Sequence, residues 1–377
     1  MAGFPPSSWG RARVELFAVE PSAIQLTWVG FPVGPLRIRV GEHGRLADSD
    51  GGPGGIVIEG LAPRTRYSIR IEASGLTRTQ HATTPAPPPG DELFRLATVS
   101  DIHLGLDRFG VARRMRERDP AEPGHAYRCG AAALAEAQAW GAGFVVVKGD
   151  LVERGRGHEW EEADRLLSTV GVPTAFVPGN HEVKPNRPMD APSPLPTSGV
   201  EIVDGVLHHD LPGVRLILVN STVEGHGLGA VDHLVDEVAT LAGDTDLPVL
   251  VAMHQHPQRF EMPWFWPPGI PGREARRFLD AVGRANPRAL VTSGHSHRNR
   301  AHRGGSVVHT EVGSTKDFPG VWAGYTIHEG GIAQTVRRTL TPDAMTWTEY
   351  TRRAVAGIWG RWSIGSLADR CLVLDWS

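Results

Sequence analysis

Residues 143–155 read GFVVVKGDLVERG. The run from Phe144 to Val147 is apolar without alternation and leads through Lys148 into a glycine and an aspartate. A short unbroken apolar run bounded by a turn residue is expected to be a strand buried on both faces, the kind found in parallel sheets covered by helices. Working outward, four more strands end the same way. FRLATVS (94–100) runs into DIHLG, PTAFVPG (173–179) into NHE, PVLVAM (248–253) into HQHP, and RALVTSG (288–294) into HSH. VRLILVN (214–220) and SVVHTEVG (306–313) read as further strands. Helical patterns stand between them at GAAALAEAQAWG (130–141), EWEEADRLLSTV (159–170) and REARRFLDAVGRA (273–285). In the second of these, Trp160, Ala163, Leu166 and Leu167 share one side. Strands alternating with helices predict an α/β domain with a largely parallel sheet. Beyond residue 306 the helical pattern thins out, and WAGYTIHEGGIAQTVRR (322–338) reads as an antiparallel hairpin.

Five polar motifs thus sit at the carboxyl ends of five strands: SDIHLG (100–105), GDLVERG (149–155), GNHE (179–182), MHQHP (253–257) and GHSH (294–297). Ligands of open α/β sheets bind beyond the carboxyl ends of strands, so the five are expected to share one site. A lone aspartate there is commonly a helix cap, and a lone histidine a satisfied core or surface group. Five such motifs in succession point instead to metal chemistry. Asp, Asn and His offer oxygen and nitrogen ligands suited to Mn, Fe, Zn or Co. The Asp-x-His and His-x-His spacings place two ligands on one turn facing one ion, and a carboxylate such as that of Asp150 can bridge two. A pair of ions about 3.5–4 Å apart clamps both ends of an in-line displacement and lowers the pKa of a bound water from about 15.7 to about 7. Phosphate esters, whose enzymatic hydrolysis is accelerated by up to ~10²¹-fold, call for such a device.

In this order the motifs D-x-H, G-D, G-N-H-E, H and G-H-x-H make residues 94 to about 335 resemble the calcineurin-like metallophosphoesterases. The resemblance implies a four-layer α-β-β-α sandwich of two mixed sheets and hydrolysis of a phosphoester by a hydroxide bridging two divalent or trivalent metal ions. It also implies the ligands. One ion takes Asp101, His103, Asp150 and His297; the other shares Asp150 and takes Asn180, His254 and His295. His256 competes with His254, which is preferred because it directly follows the apolar strand. His181 is implied to face the phosphate as electrostatic stabiliser or general acid. Purple acid phosphatases have a tyrosine three residues after the bridging aspartate; Glu153 stands there in this chain, which argues against a charge-transfer ferric site. GDLVERG with GNHE is also similar to the serine/threonine phosphatase branch. By that likeness Glu153 orients His181 and Arg154 grips a phosphate oxygen, although Glu in place of Asp puts the first pairing in question, and the competing reading is that both residues begin a solvent-facing loop. SDIHLG and the spacing look closer to the bacterial branch that hydrolyses cyclic nucleotides or glycerophosphodiesters.

The TPAPPPGD stretch (84–91) breaks the chain with a stiff proline-rich linker. Before it, VELFAVE, AIQLTWV, LRIRVG, GIVIEGL and RYSIRIEA predict a small all-β sandwich. AIQLTW with Trp28, and GLAPRTRYSIRI with Leu61, Pro63, Thr65 and Tyr67, resemble a fibronectin type III domain and its tyrosine corner. The expected organisation is a β-sandwich at 11–84, a linker at 85–92, a catalytic domain at 93–335, and a carboxyl-terminal extension at 336–377 too apolar to be disordered. That extension is expected to pack on the catalytic domain or on a partner subunit. Three long loops, 104–128, 183–199 and 257–272, are candidates for substrate selection, the last carrying Phe260, Trp264, Phe265 and Trp266.

A net charge of −3 disfavours a nucleic-acid binder held by phosphate contacts. The short basic run Arg113, Arg114, Arg116, Arg118 is interleaved with Glu117 and Asp119 and reads as a solvated face. Two distant cysteines do not make a disulfide scaffold. No apolar stretch has the length of a membrane span or of a signal sequence, so the expected compartment is the cytoplasm. The expected substrate is a small-molecule phosphoester, with oligomeric state left open. A nuclease of the same superfamily and a non-catalytic scaffold on a phosphatase fold are the alternatives.

Overall fold

The computed structural model describes residues 9–110, 114–117, 120–183, 191–262 and 266–376. Arg113, Arg118, Asp119, Trp264, Phe265 and part of the 183–199 loop therefore lie outside the described residues. The amino-terminal part is all-β: β1 (Arg13–Val19), β2 (Ala23–Val29), β3 (Gly34–Val40), β4 (His43–Ser49), β5 (Gly54–Glu59), β6 (Arg66–Ala73) and β7 (Leu76–Thr83). They form two antiparallel sheets, β1-β2-β5 and β4-β3-β6-β7, closed over Ile24, Leu26, Trp28, Leu36, Ile38, Ile69 and Ile71. Strands β4 and β7 escape the sequence reading because they are edge strands whose side chains are mostly exposed, so they carry no apolar run.

The remainder runs β8 (Glu92–Val99), a short ribbon of β9 (Arg108–Phe109) and β10 (Met115–Arg116), α1 (His125–Ala139), β11 (Phe144–Lys148), α2 (Gly157–Leu167), β12 (Thr174–Val177), β13 (Val206–Leu211), β14 (Val214–Val219), α3 (Val235–Gly243), β15 (Val249–Met253), α4 (Gly272–Ala285), β16 (Ala289–Ser293), β17 (Arg300–His302), β18 (Val308–Glu311), β19 (Val321–His328), β20 (Gly331–Arg338), α5 (Pro342–Thr351), α6 (Ile358–Ile364), α7 (Leu367–Arg370) and β21 (Cys371–Asp375). Two six-stranded sheets result, β12-β11-β8-β19-β20-β21 and β13-β14-β15-β16-β18-β17. In the first, β12, β11 and β8 are parallel and β19, β20 and β21 antiparallel; in the second, β14, β15, β16 and β18 are parallel between antiparallel edges.

The strand sequences explain the layering. In β11, Val146 faces the other sheet while Val145 and Val147 face α1 and α2. In β15, Leu250 and Ala252 face inward while Val249, Val251 and Met253 meet α3 and α4. Both faces are buried, so the period-two signal vanishes and the strands read as continuous apolar runs. The architecture is a four-layer α-β-β-α sandwich preceded by a β domain. Beyond residue 306 the helical pattern thins out but helices return after the hairpin, as α5, α6 and α7. α5 is buried on nearly every side, through Ala344, Met345, Trp347, Thr348, Glu349 and Thr351, and so shows no amphipathic stripe. Residue 336 lies inside β20, and β21 pairs with β20 to form the sheet's edge.

The β domain sits firmly on this body. Phe17 is wholly buried in the cluster between the two large sheets. Gln25 exchanges two hydrogen bonds with the Arg338 backbone (2.8 and 2.9 Å), and Arg337 makes a two-pronged pair with Glu20 (2.7 and 2.9 Å). The linker is held too: Pro89 O accepts from Gly330 N at 2.9 Å, and Asp91 O from Glu329 N at 3.1 Å. Among the described residues no helix is long and apolar enough to cross a membrane.

Candidate metal centre

The five strand-end motifs converge from both sheets: those after β8, β11 and β12 from the first, those after β15 and β16 from the second. The loops hold one another through the backbone. Asp101 N donates to Gly149 O (3.0 Å), His103 N to Asp150 O (2.8 Å), and Gly294 N to His254 O (3.0 Å). Close approach requires glycine at the joints. A Cβ on Gly149 would stand 2.4 Å from the His254 ring, and one on Gly179 2.4 Å from Asp150 Oδ1.

Of the eight non-glycine residues with positive φ among those described, five are Asp101, His103, Asp150, His295 and His297, at 49° to 66°. Each costs of order 1–3 kcal/mol, and such strain persists where function demands a geometry. Here it turns five side chains toward one point. Three groups of donor atoms each lie within 4.8 Å: Asp101, His103 and His297; His103, Asp150 and His181; Asp150, His254 and His295. Asp150 and His103 link them. Asn180 Oδ1 joins at 3.3 Å from His254 Nε2.

Each candidate ligand imidazole is fixed by its outer nitrogen. His103 Nδ1 donates to Glu153 Oε2 (2.8 Å), His254 Nδ1 to Lys148 O (2.7 Å), His295 Nε2 to Pro268 O (2.9 Å) and His297 Nδ1 to Asp317 Oδ2 (2.7 Å). The inner nitrogens face the centre: His103 Nε2 is 3.5 Å from Asp150 Oδ2, His254 Nε2 3.3 Å from Asp150 Oδ1, His297 Nε2 3.3 Å from Asp101 Oδ1, and His295 Nδ1 3.2 Å from His254 Nε2. One N–H tied outward and one nitrogen aimed inward is how proteins present histidine to a metal.

The donor set fits cations by its own chemistry. Asp101 Oδ1 and His103 Nε2 are buried without a hydrogen-bond partner, an arrangement that is costly unless a positive ion meets it. Burial opposes charge on Asp101, but His297 beside it holds the carboxyl well below the usual range. Burial likewise opposes protonation of His297 and His254. Asp317 and then Asp101 lift His297 to about 10, and Asp150 lifts His254 to about 9. His103 and His295, by contrast, are pushed down to about 3, by burial first and then by neighbouring positive charge. The two carboxylates draw positive charge to themselves, the same demand that bound cations satisfy.

The remaining named residues fall as follows. His181 is the outward-facing imidazole of the group, 22 % exposed. Its Nδ1 donates to Glu153 O (2.9 Å) with Glu153 Oε2 at 3.1 Å, and its Nε2 lies 3.9 Å from Asp150 Oδ2. Glu153 is buried and holds both His103 and His181, so the longer side chain reaches where an aspartate was in question. Arg154 is exposed beside it, its N–H on Glu159 Oε2 at 2.8 Å. His256 belongs to none of the three donor groups; its ring is 5.8 Å from that of His295.

Sequence reasoning assigned no role to Glu182, Lys316 or Asp317. Glu182 accepts from Asp150 N (2.9 Å), Val152 N (3.0 Å) and Gly179 N (2.6 Å), tying two motif loops together. It stood in view as the last letter of GNHE. Asp317 had no motif to mark it.

The family description Calcineurin-like phosphoesterase matches residues 94–299. The chain belongs to the calcineurin-like phosphoesterase family. Two curated members of related sequence are the glycerophosphodiester phosphodiesterase GpdQ of Enterobacter lignolyticus, 30% identical over 156 residues, and a probable cyclic nucleotide phosphodiesterase of Psychrobacter sp., 26% identical over 168 residues. The first match spans 41% of this chain and 55% of that protein, the second 43% and 49%. Among solved structures, a dimetal phosphatase from Danio rerio superposes with a TM-score of 0.51 at 13% identity, covering 76% of this chain and all of that one, which establishes a shared fold. Calcineurin-like phosphoesterases are metal-dependent phosphoric ester hydrolases, and the Asp/His groups above are where this one can hold metal.

Proposed function

We propose that this chain hydrolyses a phosphodiester bond of a small molecule, using two metal ions drawn from Mn, Fe, Zn and Co. The observation that carries the reading is the convergence of seven donor residues, the four histidines among them already held at their outer nitrogens by hydrogen bonds. Asp101, His103, Asp150 and His297 are assigned to one ion, and Asp150, Asn180, His254 and His295 to the other. The ions, when bound, acidify a water molecule and offset negative charge on the phosphoryl group.

The chain's own groups do the rest. Asp150 lies between the two sets of donors and fixes their separation. His181 places Nε2 at the open side, where its N–H can donate to the leaving oxygen, while Glu153 orients the ring. Arg154, exposed next to Glu153, is assigned to grip a phosphate oxygen. The diester preference draws on the two relatives, a glycerophosphodiester phosphodiesterase and a probable cyclic nucleotide phosphodiesterase, about half of whose length this chain spans.

Residues 11–84 are assigned as a fibronectin type III-like module. The three- and four-stranded sheets support this, as does Tyr67, whose hydroxyl accepts from Ala62 N at 2.7 Å. The linker at 85–92, a catalytic unit from 93 to 335, a carboxyl-terminal segment folded onto it and a cytoplasmic setting complete the assignment.

The test is hydrolysis of bis(p-nitrophenyl) phosphate and p-nitrophenyl phosphate with added Mn²⁺. The diester is expected to be cleaved, and Asp150→Ala to lower the rate by on the order of 10³-fold while the protein stays folded. Cleavage of the monoester alone would overturn the diester assignment. No cleavage of either by metal-loaded protein would overturn the hydrolytic one.

A further inference from the structure

We infer that Asp317 and Trp359, both outside the stretch that matches the family, are positioning residues that complete the metal centre through His297. The inference rests on the assignment of His297 as a metal ligand. For the other three ligand histidines the outer partner lies inside the family match: Glu153 for His103, the Lys148 carbonyl for His254 and the Pro268 carbonyl for His295. His297 alone reaches beyond it. Asp317 is wholly buried, and both of its oxygens are occupied. Oδ2 accepts from His297 Nδ1 at 2.7 Å and has the Lys316 ammonium 3.4 Å away; Oδ1 accepts from Trp359 Nε1 at 3.1 Å.

The consequence is geometric and electronic. A carboxylate on Nδ1 fixes that nitrogen as the donor, so Nε2, 3.3 Å from Asp101 Oδ1, is the nitrogen left to a cation, and it raises the basicity of Nε2. An aspartate free to rotate would do this poorly. The indole N–H removes that freedom, because with Oδ1 taken by Trp359, Oδ2 has one orientation left.

The carboxyl-terminal segment is in turn anchored next to the ligand. Asn299, two residues after His297, receives the segment: its N donates to Ser363 O at 2.9 Å, and its Nδ2 lies 3.3 Å from Ser363 O and Ile364 O. α5 holds the loop that carries Asp317, with Trp347 Nε1 on Lys316 O (2.7 Å) and Phe318 N on Thr351 Oγ1 (2.8 Å). Trp359 also closes on Phe109, ring centres 5.3 Å apart, and stands 6.0 Å from the His297 ring. The tail therefore acts on the centre at one defined atom pair, as well as covering the body.

The test uses full-length protein stripped with a chelator and titrated with Co²⁺, reading bound metal by mass spectrometry and the visible d–d absorption of each site. Wild type is expected to take up two Co²⁺. Asp317→Asn is expected to keep one site at wild-type affinity and weaken the other about 10–100-fold, with a changed spectrum for that site alone. Trp359→Phe, which keeps the ring and deletes the N–H, is expected to weaken the same site by a smaller factor. Metal-free melting of Trp359→Phe should stay close to wild type, whereas Asp317→Asn should melt lower because it strands buried positive charge; if Asp317→Asn does not fold, Trp359→Phe decides. Two sites of wild-type affinity and spectrum in the folded variants would overturn the positioning role. Failure of the wild type itself to bind Co²⁺ would overturn the metal assignment beneath it.

Discussion

At the residue scale the centre is governed by groups that touch its ligands from behind. Glu153 shows how far sequence reaches. Its place in GDLVERG was plain, yet one extra methylene left its pairing open, and a solvent-facing loop was the competing reading. The structure closes the question through the backbone: Glu153 N donates to Leu104 O at 2.9 Å, which brings the carboxylate under both His103 and His181. Glu153→Gln is expected to lower kcat on the diester by about 10–100-fold with little change in KM, because it disturbs orientation of a ligand and of His181; steady-state kinetics checks this. His309 offers a prediction independent of the centre. Its ring stacks on His302 at 4.2 Å, and its Nε2 is buried without a partner. Burial, followed by the charge of His302, pushes it down to about 3 from an ordinary 6.5. Below pH 6.5 the unfolded chain takes a proton that the folded chain refuses. The stabilising contribution is thus complete above that value and is lost as pH falls toward about 3. Urea unfolding across this range should show the decline, and His309→Gln should flatten it.

At the element scale the repeated unit is a buried strand that ends in a candidate ligand, with a glycine before it and positive φ at it in Gly149–Asp150 and Gly294–His295. The strands were legible because both their faces are buried, and the motifs were legible because their residue types are rare together. What stayed hidden was whatever the same rule makes ordinary. Strands β4 and β7 are polar edges. α3 is a helix of only nine residues, and α5, buried almost all round, presents no apolar stripe. The glycines inside the unit are steric requirements. Gly149→Ala places a methyl against the His254 ring at a φ of 74° and is expected to cost about 1–3 kcal/mol in denaturant unfolding, with loss of bound metal. A variant that unfolds like wild type and keeps its metal would show that the loop has room the structure does not display.

At the scale of the whole molecule, the proline break at 84–91 marked a boundary in sequence but not how tightly the two sides are joined. A charged network crosses the joint. Glu349 pairs with Arg338 at 3.0 Å and with Arg13, while Arg352 pairs with Glu15 at 2.7 Å. Arg338 and Glu349 are almost wholly buried, so removing one charge strands the other. Glu349→Gln is expected to cost about 3–5 kcal/mol. Wild type is expected to melt in one calorimetric transition, the β domain and the catalytic body together; two resolved transitions would contradict the coupling. Sequence could not show this, because pairs such as Arg13 with Glu349 or Glu20 with Arg337 join positions more than three hundred residues apart. The same topology sets a timetable for biosynthesis. All five motifs have been synthesised by residue 297, ahead of Asp317, Trp359 and the edge strand 371–375. A nascent chain that already displays every motif still lacks the pieces that square its last histidine and seal its sheet. A chain truncated after residue 299 is therefore expected to lack both the partner of His297 and the edge strand of its sheet, and to take up less metal than the longer chain when the two are titrated side by side.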